Sequence, residues 1–349
     1  MAKINKRLIE NIISLFTIKG LEYILAFITF PYLVRVLQVE NFGAVVFVQG
    51  IIQYFVLFTD YGFNLLGPKE IAQHDSIKER GKIFASIFCA KLILLLISTI
   101  VFICMLIGAK YIKDIDIILY SVVYLMVIGN VIFPIWFFQG IQQMRYITIV
   151  NIIGRFFSVA CIFYFVKAPS DYILAGLFQA IVPLIAGICS WIILWKKYRE
   201  VFILPKFQSV KQVFIDAWEI FTSTIAINLY TASNIVFLGL LTNNTIVGYF
   251  SGAQKIIQNI NQLISPVTQA IYPYVSKTAS NSKNEALNFL RKIVLILGGG
   301  NFIGSILIFI FAEWIVDVLL GAGYEQKRRT MKKLVLIVMS LCLAVTMWG

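Results

Sequence analysis

The chain has 349 residues, of which 60% are hydrophobic and 13% charged, with a formal net charge of +13. Roughly a quarter of residues are charged in an ordinary soluble domain, so this balance excludes one and points to an integral membrane protein. The positive charge does not mark a nucleic-acid binder, because its placement along the chain follows a membrane topology.

Apolar runs of about 20 residues, the length of a helix crossing a hydrocarbon core of about 30 Å, alternate with polar breaks. Ten spans are expected: Asn11–Val36, Phe42–Leu66, Ile83–Gly108, Ile117–Phe138, Ile147–Lys167, Tyr172–Trp195, Val213–Leu241, Ile246–Tyr272, Lys292–Phe311 and Lys332–Trp348. The start, MAKINKRLIENIISLF, is basic but runs into a full-length span without a small-residue cleavage site, so it reads as a first membrane helix and not a signal peptide. The expected fold class is therefore all-α, polytopic and two-lobed.

With the N-terminus on the cytoplasmic side, the cytoplasmic connections hold Lys3, Lys6, Arg7, Lys69, Lys78, Arg80, Lys82, Arg145, Lys196, Lys197 and Arg199, among others. The opposite connections up to Phe311 hold only Arg35, Lys110, Lys113 and Lys167, as the positive-inside rule requires. Near the end, Lys327, Arg328, Arg329, Lys332 and Lys333 break that rule. Two readings stay open there: one tolerated loop, or a reading frame disrupted after about Glu325.

The chain repeats itself. FGAVVFVQGIIQ from Phe42 to Gln53 matches VGYFSGAQKIIQ from Val247 to Gln258, aligning Gly43 with Gly248 and Gln53 with Gln258. Six helices separate the copies, so both enter the membrane from the same side, as in a parallel repeat. The expected division is a six-helix lobe at 1–195, a linker at 196–212 and a second lobe at 213–349. Doubling the repeat offset gives about 410 residues for two complete halves, so the second lobe is expected to lack two helices.

Chemistry is sparse. The chain has no phosphate-binding loop, no nucleophile elbow and no zinc-protease motif, so neither a cofactor nor a catalytic residue is expected. No metal site is expected either, and the five cysteines read as small core hydrophobes. The informative residues are polar ones where lipid should be. In the eighth span Gln254, Lys255, Gln258, Asn261 and Gln262 recur at three- and four-residue intervals on one helical stripe. An unpaired polar group in hydrocarbon costs several kcal/mol, so such a stripe must face water or another polar surface. The second span repeats the device with Gln49, Gln53, Asp60 and Asn64.

Charges inside spans sharpen this. Lys19 and Glu22 have the spacing of an ion pair, and Asp60 with Lys91 is a second candidate pair. Cations outnumber carboxylates within the spans, so Lys91, Arg155 and Lys255 are read as candidates for a cavity that attracts an anion. Asp60 and Glu22 are the candidates for ion coupling.

PYLVRVLQVENFG at Pro31–Gly43, TDYGFN at Thr59–Asn64 and PIWFFQGIQQMRYIT at Pro134–Thr148 resemble the Wzx-type polysaccharide repeat-unit flippases, relatives of the multidrug and toxic compound extrusion exporters. The likeness runs from about Leu8 to Tyr324. It implies a twelve-helix, two-lobed protein of the bacterial cytoplasmic membrane that moves an undecaprenyl-diphosphate-linked oligosaccharide between leaflets for O-antigen or capsule synthesis. It also implies membrane lipid, a polysaccharide polymerase and a chain-length regulator as candidate partners, and no nucleic acid. Pro31, Arg35, Gly43, Asp60, Gly62, Trp136, Gln139 and Gly140 are its motif positions. Two residues depart from the pattern: Gln38 stands where a glycine is usual, and Gln142 where an acidic residue is usual. The rival readings are a drug exporter of the same fold, which would favour carboxylates and aromatics for cationic cargo, and an inactive or scaffolding membrane protein.

Overall fold

A computed structural model describes residues 6–112, 115–231, 233–255, 258 and 310. Among them the chain is helical with no strand. The helices are α1 (Lys6–Asp60), α2 (Phe63–Ala72), α3 (Ile77–Ile112), α4 (Ile117–Ile132), α5 (Ile135–Gly140), α6 (Met144–Phe165), α7 (Tyr172–Lys197), α8 (Phe207–Thr231) and α9 (Ser233–Leu241), followed by helical backbone over 244–255. Five helical runs among the described residues are long and apolar enough to cross a membrane, six if α8 and α9 form one bent span. The protein is an all-α, multi-pass membrane protein. The expected ninth and tenth spans and most of the eighth fall outside the described residues.

The first expected span and most of the second lie within the single run α1, which is interrupted at Gln38 (φ 61°, ψ 171°), and the end of the second continues past the break after Asp60 into α2. The rings of Phe30 and Phe42 are 6.0 Å apart, whereas twelve residues of straight helix would separate them by about 18 Å. The chain therefore turns back at Gln38. The turn needs a backbone conformation that is essentially reserved for glycine, and glycine is the residue whose absence the sequence comparison marks there.

The chain divides by packing into two units, residues 1–43 with 245–349 and residues 44–244. In the first, Phe30, Leu33, Val34, Leu37 and Val39 are buried. A Cβ on Gly248 would run into the carbonyl oxygen of Val39, so the backbones approach too closely for any other residue.

The second unit is held by two devices. Glycines on facing helices permit close approach in a setting where apolar burial alone does not drive helices together. A Cβ on Gly129 of α4 would meet the Leu184 nitrogen of α7 at 2.5 Å, and one on Gly187 of α7 would meet Ile132 at 2.9 Å. The second device is a buried aromatic layer at the end where α2, α3, α5 and α7 meet. Phe63, Phe84, Trp136, Phe137 and Phe138 are buried together there with Ile71 and Leu194. A Cβ on Gly67 would meet Trp136 at 2.7 Å.

The fourth expected span is broken at Pro134. Pro134 has no N–H to donate, and it forces Phe133 into extended backbone (φ −80°, ψ 104°), so α4 stops at Ile132 and α5 begins at Ile135. The break leaves the Ile132 carbonyl without its helical donor. The Trp191 indole of α7 donates to it at 2.8 Å. At the far end of α5, the Gln143 N–H donates to the Phe138 carbonyl and the Gln142 N–H to the Gln139 carbonyl, with Gln142 at φ 56°. This pattern closes a helix around a left-handed residue.

Candidate functional site

The Asp60 region is built by a second break. Helix α1 ends at Asp60, and Tyr61 (φ 48°) and Gly62 (φ 80°) are both left-handed before α2 starts at Phe63. A Cβ on Gly62 would meet Ile220 of α8 at 2.7 Å, so glycine is required both for its φ and for this approach. The motif TDYGFN thus encodes a helix break within an apolar run long enough to cross a membrane, with Asp60 as the last residue before it.

The Lys91 ammonium of α3 donates to Asp60 Oδ1 at 2.9 Å. The lysine is 2% exposed and the aspartate 21%. A lone ammonium at this depth would be costly, and a carboxylate at a helix C-terminus is disfavoured by the helix dipole. Each charge offsets the other's penalty. The structure therefore joins a residue expected to attract an anion with one expected to carry an ion, and the two act as one unit. Asn64 follows in α2, and its side-chain carbonyl is buried without a hydrogen-bond partner among the described residues.

Arg155 lies in a different setting, near the middle of α6. One face of that helix, Tyr146, Val150, Gly154, Ser158 and Ile162, is buried, and Gly154 sits against the Val182 carbonyl of α7. Thr148, Asn151 and Arg155 lie on the flank of that face and are half-buried. Arg155 has no hydrogen bond or ion pair among the described residues. Thr148 turns its hydroxyl back to the Met144 carbonyl.

Most other polar side chains in the spans are satisfied within their own helix. Thr59, Ser86, Thr99, Gln179, Ser190 and Thr224 each donate to a carbonyl four residues earlier. Gln49 and Gln53 are half-buried. Between helices, Tyr124 of α4 bonds Ser98 and Thr99 of α3, and Tyr54 of α1 bonds Ser233 of α9 at 2.6 Å.

Of the remaining expected positions, Gln254 is half-buried and Lys255 and Gln258 are exposed, all in the other unit. Asn261 and Gln262 fall outside the described residues, and Glu22 is described only as helical backbone. Among the motif positions, Gly43, Gly62, Trp136 and Gly140 are buried, Pro31 and Gln139 half-buried and Arg35 exposed. Trp136 and Gly140 work in packing, since a Cβ on Gly140 would meet Ile71 at 2.6 Å. Among the described residues, no three His, Cys, Asp or Glu side chains are grouped to hold a metal ion.

These features define a helical membrane protein with an ion pair at one helix break and a half-buried cation on one helix flank. Residues 8–279 match the family described as polysaccharide biosynthesis protein. The chain belongs to this family, in agreement with the resemblance carried by Pro31–Gly43, Thr59–Asn64 and Pro134–Thr148. It is 34% identical over 321 residues to an Escherichia coli (strain K12) protein named "Putative O-antigen transporter", covering 91% of this chain and 76% of that protein. A Shigella dysenteriae protein of the same name is 30% identical over 316 residues, covering 86% of this chain and 77% of that protein. No solved structure matches.

Proposed function

We propose that this chain is a flippase that carries undecaprenyl-diphosphate-linked oligosaccharide repeat units across the bacterial cytoplasmic membrane for O-antigen or capsule synthesis. The observation that carries the reading is Arg155, a half-buried cation inside a membrane span that makes no hydrogen bond or ion pair among the described residues, in a protein from the polysaccharide biosynthesis family. A guanidinium held there is a partner for a diphosphate, which presents the oxygens that Arg reads best. The relatives named as O-antigen transporters support the cargo class.

In this reading the lipid tail stays in the bilayer, while the headgroup enters between a six-helix lobe at 1–195 and a shorter lobe at 213–349, joined by the linker at 196–212, that rock by alternating access. The N-terminus is cytoplasmic. Protonation of Asp60 would break its pair with Lys91 and free an ammonium for the diphosphate, which couples cargo to an ion gradient without nucleotide. Glu22 is a second carrier candidate. Lys255 adds positive charge, and Gln254, Gln258, Asn261 and Gln262 would hydrogen-bond sugar hydroxyls. A polymerase and a chain-length regulator are the proposed downstream partners.

The test uses cells lacking this gene and measures lipid-linked oligosaccharide in the inner leaflet. Accumulation relieved by the wild-type chain, and not by Arg155→Gln present in equal amount in the membrane, is the expected result. No accumulation in the deleted cells would overturn the reading in favour of export of another cargo.

A further inference from the structure

At the end of the second unit where α6 begins and α7 finishes, two cations converge on one oxygen. The Lys197 ammonium donates to the Tyr146 hydroxyl at 2.8 Å and the Arg145 guanidinium donates to the same hydroxyl at 3.3 Å. Both also lie over the Tyr146 ring, at 5.1 and 5.0 Å from its centroid. The ring itself is fixed: Tyr146 is 8% exposed and packs on Phe138 with centroids 5.6 Å apart. Among the described residues no carboxylate pairs with Arg145, Lys196, Lys197 or Arg199. Glu200, the nearest acidic residue in sequence, is exposed and makes no ion pair with them.

Like charges brought to one hydroxyl repel, and the repulsion grows as water is excluded. The phenol has two lone pairs and one proton. Lys197 and Arg145 fill the lone pairs, which leaves the hydroxyl proton available to a further acceptor. Three donors therefore meet around one buried ring, the Arg145 and Lys197 side chains exposed, with no carboxylate paired to them among the described residues. Around them the surface is that of a membrane interface. Trp195 is 62% exposed with Arg199 stacked over its ring at 5.4 Å, and Phe202, Leu204 and Phe207 are exposed nearby in sequence. Amphipathic aromatic residues of this kind sit at headgroup level.

We infer that Arg145, Tyr146 and Lys197 form a binding site for the phosphate of an anionic lipid headgroup. The site lies at the basic end of the unit, apart from Arg155 and the Asp60–Lys91 pair, and its existence does not depend on which cargo the protein moves. It holds the start of α6 and the end of α7 together through a shared anion, as a clamp on the membrane surface.

The test is lipid binding by the full chain in detergent, titrated with phosphatidylglycerol and, in parallel, phosphatidylcholine, with bound lipid counted by native mass spectrometry. The expected wild-type result is a preference for phosphatidylglycerol, which Arg145→Gln with Lys197→Gln lowers about tenfold. Tyr146→Phe keeps the ring and lowers it less, which secures the test if the double variant folds poorly. Lys211→Gln, an exposed lysine on α8, leaves it unchanged. Competition by inorganic pyrophosphate would mean that the site also takes soluble phosphate; its failure to compete would restrict the site to lipid-borne phosphate, and either supports it. Wild-type preference retained in both the double variant and Tyr146→Phe would overturn the inference. So would equal loss in Lys211→Gln, which would reduce the effect to diffuse surface charge.

Discussion

Lys91 and Arg155 are both cations inside membrane spans, and the chain treats them in opposite ways. Lys91 is 2% exposed and its ammonium rests on Asp60, across a helix break that Tyr61 and Gly62 create. Arg155 is half-buried on the flank of a helix and has no partner among the described residues. A charge in the membrane is therefore not in itself a binding site. One that is neutralised internally holds the fold and can switch only if its partner titrates, while one that is not neutralised has charge to offer a ligand.

The largest effect expected from breaking this comparison is on stability. Lys91→Met leaves Asp60 as an uncompensated carboxylate, and removing one partner of a buried ion pair costs about 3–5 kcal/mol. Folded yield after detergent extraction should fall sharply. Adding Asp60→Asn should restore most of it, because the pair is then replaced by neutral groups. Transport should stay low in the double variant, since the proposed coupling pair is gone.

Arg155→Gln should do the reverse. It removes a charge that pairs with none of the described residues, so thermal stability should change by less than about 1 kcal/mol while transport falls at least about tenfold. Arg155→Lys should recover only part of it, because a lysine cannot form the paired contacts of a guanidinium.

A smaller effect is expected at a neutral group that the fold satisfies internally. Trp191→Phe keeps an aromatic ring but strands the Ile132 carbonyl that the Pro134 break exposed. The loss should be about 1–3 kcal/mol, read as a lowered unfolding midpoint. Smallest, and of opposite sign, is Gln38→Gly. The backbone at Gln38 lies in a region that costs a non-glycine residue about 1–3 kcal/mol, part of which is returned as unfolded-chain entropy. A gain of about 1 kcal/mol is expected.

Much of this organisation was legible beforehand because hydrophobic run length and charge placement are properties of the chain itself. The starts and ends of α3, α6 and α7 lie within a few residues of their expected spans, except that α3 begins earlier and takes in the polar stretch Ile77–Lys82. Asp60 and Lys91 could be named as a candidate pair from their sign and depth. Their selection as actual partners depends on the break at Tyr61–Gly62, which composition does not reveal. Gln38 was visible as a departure from a family pattern, and only the backbone angles give it a cost.

Other features left no signal in spacing. Trp191 reads as one more apolar residue of its span, and its role exists only because Pro134 lies opposite. Polar residues such as Thr59, Ser190 and Gln179 cannot be told from site residues by position, because the bond that satisfies each runs back into its own helix. In sequence Arg145 and Lys197 read only as topology charges, and their meeting at Tyr146 needs two helices to converge.

The most direct measurement places the purified chain in proteoliposomes with undecaprenyl-diphosphate-linked oligosaccharide confined to one leaflet, and follows the sugar's appearance on the other side by its accessibility to an added glycosidase. The expected result is transfer by the wild-type chain, no transfer without protein, and loss of transfer in Arg155→Gln. Transfer by Arg155→Gln at the wild-type rate would contradict the claim that the half-buried cation in α6 receives the diphosphate.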